Sequence, residues 1–153
     1  MFYYFIINPS SSSGKHKTLW REIKEQLEKE EINYKIAATK KTGDAKRLAR
    51  EASLQVSETN PCTIVAIGGD GTVNEVVNGL ILSPFLSFGY IPTGSGNDLA
   101  RGLGLSKEPL EALAFILHPK EKKAVRIGKI VTKDNEEEEG EKKKVYNQQR
   151  SRI

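Results

Sequence analysis

Apolar residues recur along this chain with two different periods, and the two alternate. Phe2–Ile7 is a run of six aromatic and aliphatic residues closed by Asn8-Pro9, as a buried strand would be. From Lys17 to Glu31, Leu19, Ile23 and Leu27 recur every four residues with Trp20 beside them and charges elsewhere. That spacing predicts an amphipathic helix with Trp20 in its core-facing stripe. Tyr34–Ala38 reads as a second strand, Thr42-Gly43-Asp44 as a turn, and Ala45, Leu48, Ala49, Ala52 and Val56 as a second helix. Thr63–Ile67 is a third strand that runs into Gly68-Gly69-Asp70-Gly71. Val73, Val76, Val77, Leu80 and Ile81 then fall at the positions of a core-facing helix. Phe88–Ile91 predicts a fourth strand, ended by Pro92-Thr93-Gly94-Ser95-Gly96. Short helices follow near Asp98–Gly102 and across Leu110–Leu117. Ala124–Val131 reads as a further strand, and Lys144–Tyr146 as its return after a charged loop. Strands separated by helices of this length imply an α/β fold, an open, mainly parallel sheet with helices on both faces.

The length of 153 residues suits roughly one domain. A lone cysteine, Cys62, removes a disulfide framework and a Cys-rich metal site, and the run Phe2–Ile7 is too short for a signal peptide or a membrane span. These features point to a cytoplasmic protein, at most peripheral to a membrane. The net charge of +4 does not mark a nucleic-acid binder. Residues 1–118 carry 13 basic and 13 acidic side chains, so the excess lies in the last 35, where Glu136–Glu139 opposes Lys142–Lys144. A basic face interleaved with aromatics, which nucleic-acid recognition favours, is missing.

Candidate chemistry sits in the loops. Four polar loops follow four predicted strands: Asn8–Gly14, Thr39–Asp44, Gly68–Thr72 and Thr93–Asp98. In an open parallel sheet these loops share the ligand crevice. Glycine and serine let backbone amides approach an anion, and two of the loops open helices whose N-termini favour phosphate. Neither common nucleotide fingerprint fits. Ser13-Gly14-Lys15 is half of a P-loop, with Pro9 at its first glycine position and His16 at its Ser/Thr position. No G-x-G-x-x-G opens a helix after the first strand. Taken alone, Gly68–Gly71 is also compatible with a tight turn.

Three motifs in order change that reading: N-P-S-S-S-S-G-K (Asn8–Lys15), G-G-D-G-T-V-N-E (Gly68–Glu75) and P-T-G-S-G-N-D (Pro92–Asp98). Together they resemble the catalytic domain of the diacylglycerol kinase-like lipid kinases, a family that includes sphingosine and ceramide kinases and is distantly similar to NAD kinases and phosphofructokinases. The resemblance covers roughly residues 2–131. It implies a nucleotide-binding domain over residues 1–131, with ATP phosphates held by Gly69, Asp70, Gly71, Thr72, Val73, Asn74 and Glu75. Thr39 matches a threonine that contacts ATP, and Ser95 the small hydroxyl residue of the later loop. Asn8, Pro9, Ser10 and Gly14 match the first nucleotide loop, where the family has a shorter N-P-x-S-G form, so the contact among Ser10–Ser13 stays open.

Asp70 is the one candidate with a catalytic or metal part, because a carboxylate beside phosphates needs a cation such as Mg²⁺ between them. The alternative is that Asp70 caps the helix after it; Asn97-Asp98 would orient its loop or, on the safer reading, cap the helix near Leu99. Arg101 reads as a solvated helix arginine. His16 and His118 have no partner at metal or triad spacing. The resemblance also implies a second, mostly β domain that carries the general base and the lipid cleft. Residues 132–153 would be a charged loop and the truncated start of that domain.

The expected function is ATP-dependent phosphorylation of a lipid hydroxyl, most naturally diacylglycerol, at a membrane surface. Two alternatives remain at this stage. One is a kinase of a soluble acceptor such as NAD. The other is a non-catalytic nucleotide-binding or assembly module, a homodimer formed through an unpaired strand at Lys144–Tyr146.

Overall fold

A computed structural model describes residues 1–10, 16–120, 126–130 and 142–146. In chain order its elements are β1 (Phe2–Ile7), α1 (His16–Lys29), β2 (Tyr34–Ala38), α2 (Asp44–Ser53), β3 (Cys62–Gly68), α3 (Asp70–Gly79), β4 (Leu86–Pro92), α4 (Asp98–Leu103), α5 (Pro109–Leu117), β5 (Arg126–Ile130) and β6 (Lys142–Tyr146). The first four strands form one parallel sheet in the order β2-β1-β3-β4, with Phe5 opposite Ile36 on one side and Val65 on the other.

The side-chain period of two divides β1 and β3 between two cores. Tyr4, Ile6, Ile64 and Ala66 face α2 and α3, where they meet Ala45, Ala49, Val73, Val76 and Val77. Tyr3, Phe5, Ile7, Val65 and Ile67 face α1 and α5, packing with Ile23, Leu27 and Leu113. Helices therefore cover both faces, which is why all seven residues of β3 are buried and apolar alternation disappears there. Ile23 and Leu27 are wholly buried; each such side chain contributes about 1.5–3 kcal/mol of transfer free energy.

Several expectations shift at the margins. Trp20 is only half-buried and packs against the rim of the core. Helix α3 stops at Gly79, because Leu80 turns to extended backbone, so Ile81 leaves the helical stripe. The return strand spans Lys142–Tyr146 and is not unpaired: β5 joins it antiparallel, Arg126 opposite Tyr146, in a separate two-stranded sheet. The strand assigned to dimerisation is thus paired along one edge. The charged loop between β5 and β6 and the remainder of residues 132–153 lie outside the described residues. Among the described residues, no helix is long and apolar enough to cross a membrane.

Candidate functional site

The sheet order creates a crevice. From β1 the chain moves outward to β2 and returns on the other side of β1 as β3. Helix α1 then lies on one face and α3 on the other, so the loops leaving β1 and β3 diverge at their carboxyl ends. A cleft of ≈ 380 Å³ lies there, lined by Asn8, Gly69, Asp70, Gly71, Thr72, Gly94, Ser95 and Gly96.

Each wall has a local cause. Asn8 continues the ladder by donating its amide to Ile67 O (3.0 Å), and its Oδ1 closes a turn by accepting the Ser10 amide (3.0 Å). Its Nδ2 donates to Thr72 Oγ1 (3.2 Å), joining the first loop to α3. Thr72 is itself buried. The first bond of α3 runs from Val73 N to Gly69 O (3.1 Å), so the amides of Asp70, Gly71 and Thr72 have no acceptor within the helix. With the helix dipole behind them, they make a site suited to an anion.

The β4 loop seats directly on the β3 loop. Thr93 donates its amide to Gly68 O (2.9 Å), and a Cβ at Gly94 would stand 2.6 Å from Gly69 Cα. Only glycine fits that approach. Among the described residues, Asp70 is the one charged side chain in the lining. Its Oδ1 accepts the Leu99 amide at 3.4 Å, and its Oδ2 lies 3.0 Å from where a Cβ on Gly96 would be.

These contacts correct two capping assignments. Gly69, not Asp70, is the N-cap of α3; Asp70 is the first helical residue and its carboxylate faces the start of α4. Asn97 occupies the N-cap position of α4 without making a cap bond. Its amide turns back into the loop instead, accepting from Gly94 N (3.1 Å) and donating to Gly94 O (2.8 Å). Tyr90, buried at the end of β4, reaches both Gly68 O (3.2 Å) and Asn97 Oδ1 (3.4 Å) with its hydroxyl. Burial first, and then the charge of Asp70, push the Tyr90 phenol well above its ordinary value, which keeps it a donor.

Of the residues singled out from the sequence, Asn8, Gly69, Asp70, Gly71, Thr72 and Ser95 converge on the cleft; Gly94 and Gly96, the flanking glycines of the same motif, join them. Pro9 and Ser10 form an exposed turn beside it, and Gly14 lies outside the described residues. The others are not in the lining. Val73 is buried in the α3 face of the core. Asn74 accepts Asn78 Nδ2 through its backbone and side-chain oxygens. Glu75 accepts the Gly43 amide with both carboxylate oxygens, each at 3.0 Å. Thr39 directly follows β2, its amide on Ile7 O at 2.8 Å. Arg101 is exposed and paired with Asp98, and His118 pairs with Glu30 on α1's far end, away from the cleft.

Residues 3–130 match the family described as the diacylglycerol kinase catalytic domain. The chain belongs to that family. It is 39% identical over 106 residues to the diacylglycerol kinase of Bacillus subtilis strain 168, an overlap of 69% of this chain and 34% of that protein. With the diacylglycerol kinase of Staphylococcus carnosus strain TM300 it shares 38% identity over 126 residues, 82% of this chain and 40% of the relative. The fold is similar to the crystal structure of a diacylglycerol kinase from Bacillus anthracis strain Sterne, with a TM-score of 0.64 and 29% identity over 84% of this chain and 40% of that one. The chain thus spans about two fifths or less of the length of these diacylglycerol kinases.

Both implied ligands can be tested against this geometry. A backbone cradle whose Gly69–Gly94 seat excludes any side chain suits a polyphosphate. Among the described residues, no group of three or more His, Cys, Asp or Glu could hold a metal on its own. One carboxylate in such a cleft, here that of Asp70, is nevertheless the usual protein share of a Mg²⁺ held mainly by phosphates and water.

Proposed function

We propose that these residues form the ATP-binding part of a lipid kinase that transfers the γ-phosphoryl group of ATP to a lipid hydroxyl, that of diacylglycerol. The observation that supports it best is the seat of Gly94 on Gly69, which brings the β3 and β4 loops and the α3 N-terminus to one cleft. In this reading the free amides of Asp70, Gly71 and Thr72 bind phosphate oxygens, and Ser95 supplies a hydroxyl donor. Asp70 would hold Mg²⁺ through its carboxylate, the ion supplying charge neutralisation when bound. Phosphoryl transfer depends mostly on positioning and on stabilising charge spread over the phosphoryl oxygens, which such donors provide without bulk. The oxygen–phosphorus bond to the lipid forms as the bond to ADP breaks. The hydroxyl proton needs a base, and among the described residues the cleft offers Asp70 alone, already turned to cation and phosphate. We therefore assign the base and the lipid cleft to a second domain, of which residues 132–153 would be only the start. The lipid is met at a membrane surface, and any homodimer would use the outer edge of β6.

Asp70→Asn tests this reading, because it keeps an acceptor for the Leu99 amide while removing the charge. Calorimetry should show Mg-ATP binding to the wild type and at least tenfold weaker binding to the variant, about 1.4 kcal/mol. Equal affinities would remove Asp70 from the site. A polypeptide of these 153 residues should bind Mg-ATP and leave diacylglycerol unphosphorylated, since general-base catalysis alone typically contributes about 10²–10⁴-fold. Robust transfer by residues 1–153 would put the base within them.

A further inference from the structure

Asn97 and Tyr90 lie behind the cleft rather than in its lining, yet every side-chain hydrogen bond they make goes to one of its two glycine loops or to each other. Asn97 is buried, and its backbone is left-handed (φ 53). That conformation aims its amide backward at the Gly94 peptide, where it makes a reciprocal pair, 3.1 Å to the nitrogen and 2.8 Å to the oxygen. One planar side-chain amide therefore holds the N–H of the Thr93–Gly94 peptide and the C=O of the Gly94–Ser95 peptide, gripping Gly94 from both sides where the β4 loop meets the β3 loop. The Tyr90 hydroxyl sits between Asn97 Oδ1 and Gly68 O, and Gly68 O also takes the Thr93 amide. The two loops thus share one buried polar network whose members fix Gly94 against Gly69.

We infer that Asn97 and Tyr90 are positioning residues for the phosphate end of the nucleotide, setting the spacing of the two glycine loops without touching ligand. The inference rests on the nucleotide reading of the cleft. Its physical basis is reach. A Cβ built at Gly94 would stand 2.6 Å from Gly69 Cα, so the two loops meet backbone to backbone with no side chain to interlock them, and the Asn97 and Tyr90 bonds, with the Thr93 amide, resist their separation. If the network is released, Ser95 and Gly96 move out of register with the amides of Asp70, Gly71 and Thr72. Contacts to phosphate should then weaken, while contacts that do not involve these loops should not.

Asn97→Gly is the informative substitution. Glycine keeps the left-handed backbone at no steric cost, so the start of α4 is preserved and only the amide is lost. Tyr90→Phe provides a second variant that removes one hydroxyl from the network. Mg-ATP and adenosine are titrated against each protein by calorimetry, and Gly94 amide exchange is followed by NMR. Asn97→Gly should weaken Mg-ATP about tenfold, the effect of releasing two neutral hydrogen bonds. Tyr90→Phe should weaken it about two- to threefold by the same reasoning. Adenosine affinity should stay within about twofold, and Gly94 exchange should accelerate in both variants. Mg-ATP binding within twofold of wild type in Asn97→Gly, or equal weakening of ATP and adenosine, would overturn the positioning role. Failure of the wild type to bind Mg-ATP would instead overturn the nucleotide reading beneath it.

Discussion

The glycine cradle at the ends of β3 and β4 and the loop between β2 and α2 occupy the same edge of the parallel sheet, yet opposite means hold them. The cradle is fixed by neutral groups: glycine backbone on glycine backbone, the Asn97 amide, and the Tyr90 hydroxyl. The β2–α2 loop is fixed by carboxylates. Asp44 Oδ2 accepts the Lys40 and Lys41 amides (2.8 and 3.1 Å), and Glu75 accepts that of Gly43, whose φ of 90 only glycine adopts readily. The Lys40, Lys41 and Gly43 amides already satisfy carboxylates, so they are not open to an anion. A cradle tied together by neutral groups keeps its helix-terminal amides free. Two loops that look equally polar in sequence therefore differ in what they can bind.

The largest expected effect comes from breaking the cradle sterically. Gly94→Ala places a methyl 2.6 Å from Gly69 Cα, so the loops must separate. Overpacking of this kind costs about 1–3 kcal/mol, read as a lower Tm, and Mg-ATP binding should fall below detection in calorimetry. An unchanged Tm with intact binding would mean the two loops are not truly seated on one another.

Much of this was readable from residues alone, and the failures have physical causes. The strands and both faces of the sheet follow from apolar period: Ile23 and Leu27 at helical spacing, β3 as an unbroken apolar run. Glycine placement located the cleft, because Gly69 and Gly71 adjoin a helix start. Direction was not legible. Asp70 and Asn97 are good capping residue types, but tertiary partners, the Leu99 amide and the Gly94 peptide, took their side chains elsewhere. Glu75 lies in the same motif as Thr72, but it sits about 4.5 Å further along α3, where it reaches Gly43 and not the cleft. Tyr90 read only as a strand residue; its hydroxyl role required the fold.

Glu75→Ala separates the two regions more gently. The Gly43 amide loses its carboxylate partner, at a cost of about 0.5–1.5 kcal/mol. Faster exchange at Gly43 with unchanged exchange at Gly94 is the expected pattern, and equal acceleration at both would show that the loops are coupled.

The smallest effect concerns pH. Backbone bonds from Lys40 and Lys41, more than the nearby positive charges, hold the Asp44 carboxyl below its ordinary value. A depressed folded-state value means stabilisation that is present above the unfolded value and lost as pH falls through the folded one. Asp44→Asn should therefore be less stable than wild type at neutral pH. The gap should close as pH drops from about 4, the ordinary aspartate value, downward. Denaturant titrations at several pH values would show it, and a gap independent of pH would contradict it. Mg-ATP affinity at neutral pH should not change.

The central claim is that a nucleotide's phosphates lie in the Asn8–Gly69–Gly94 cradle. Amide chemical-shift mapping of ¹⁵N-labelled protein with Mg-ATP tests it most directly. The account predicts that the largest shifts fall on Asp70, Gly71, Thr72, Ser95 and Gly96, with Gly43 and Lys41 nearly unmoved. Shifts centred on the β2–α2 loop, with those five amides silent, would contradict it.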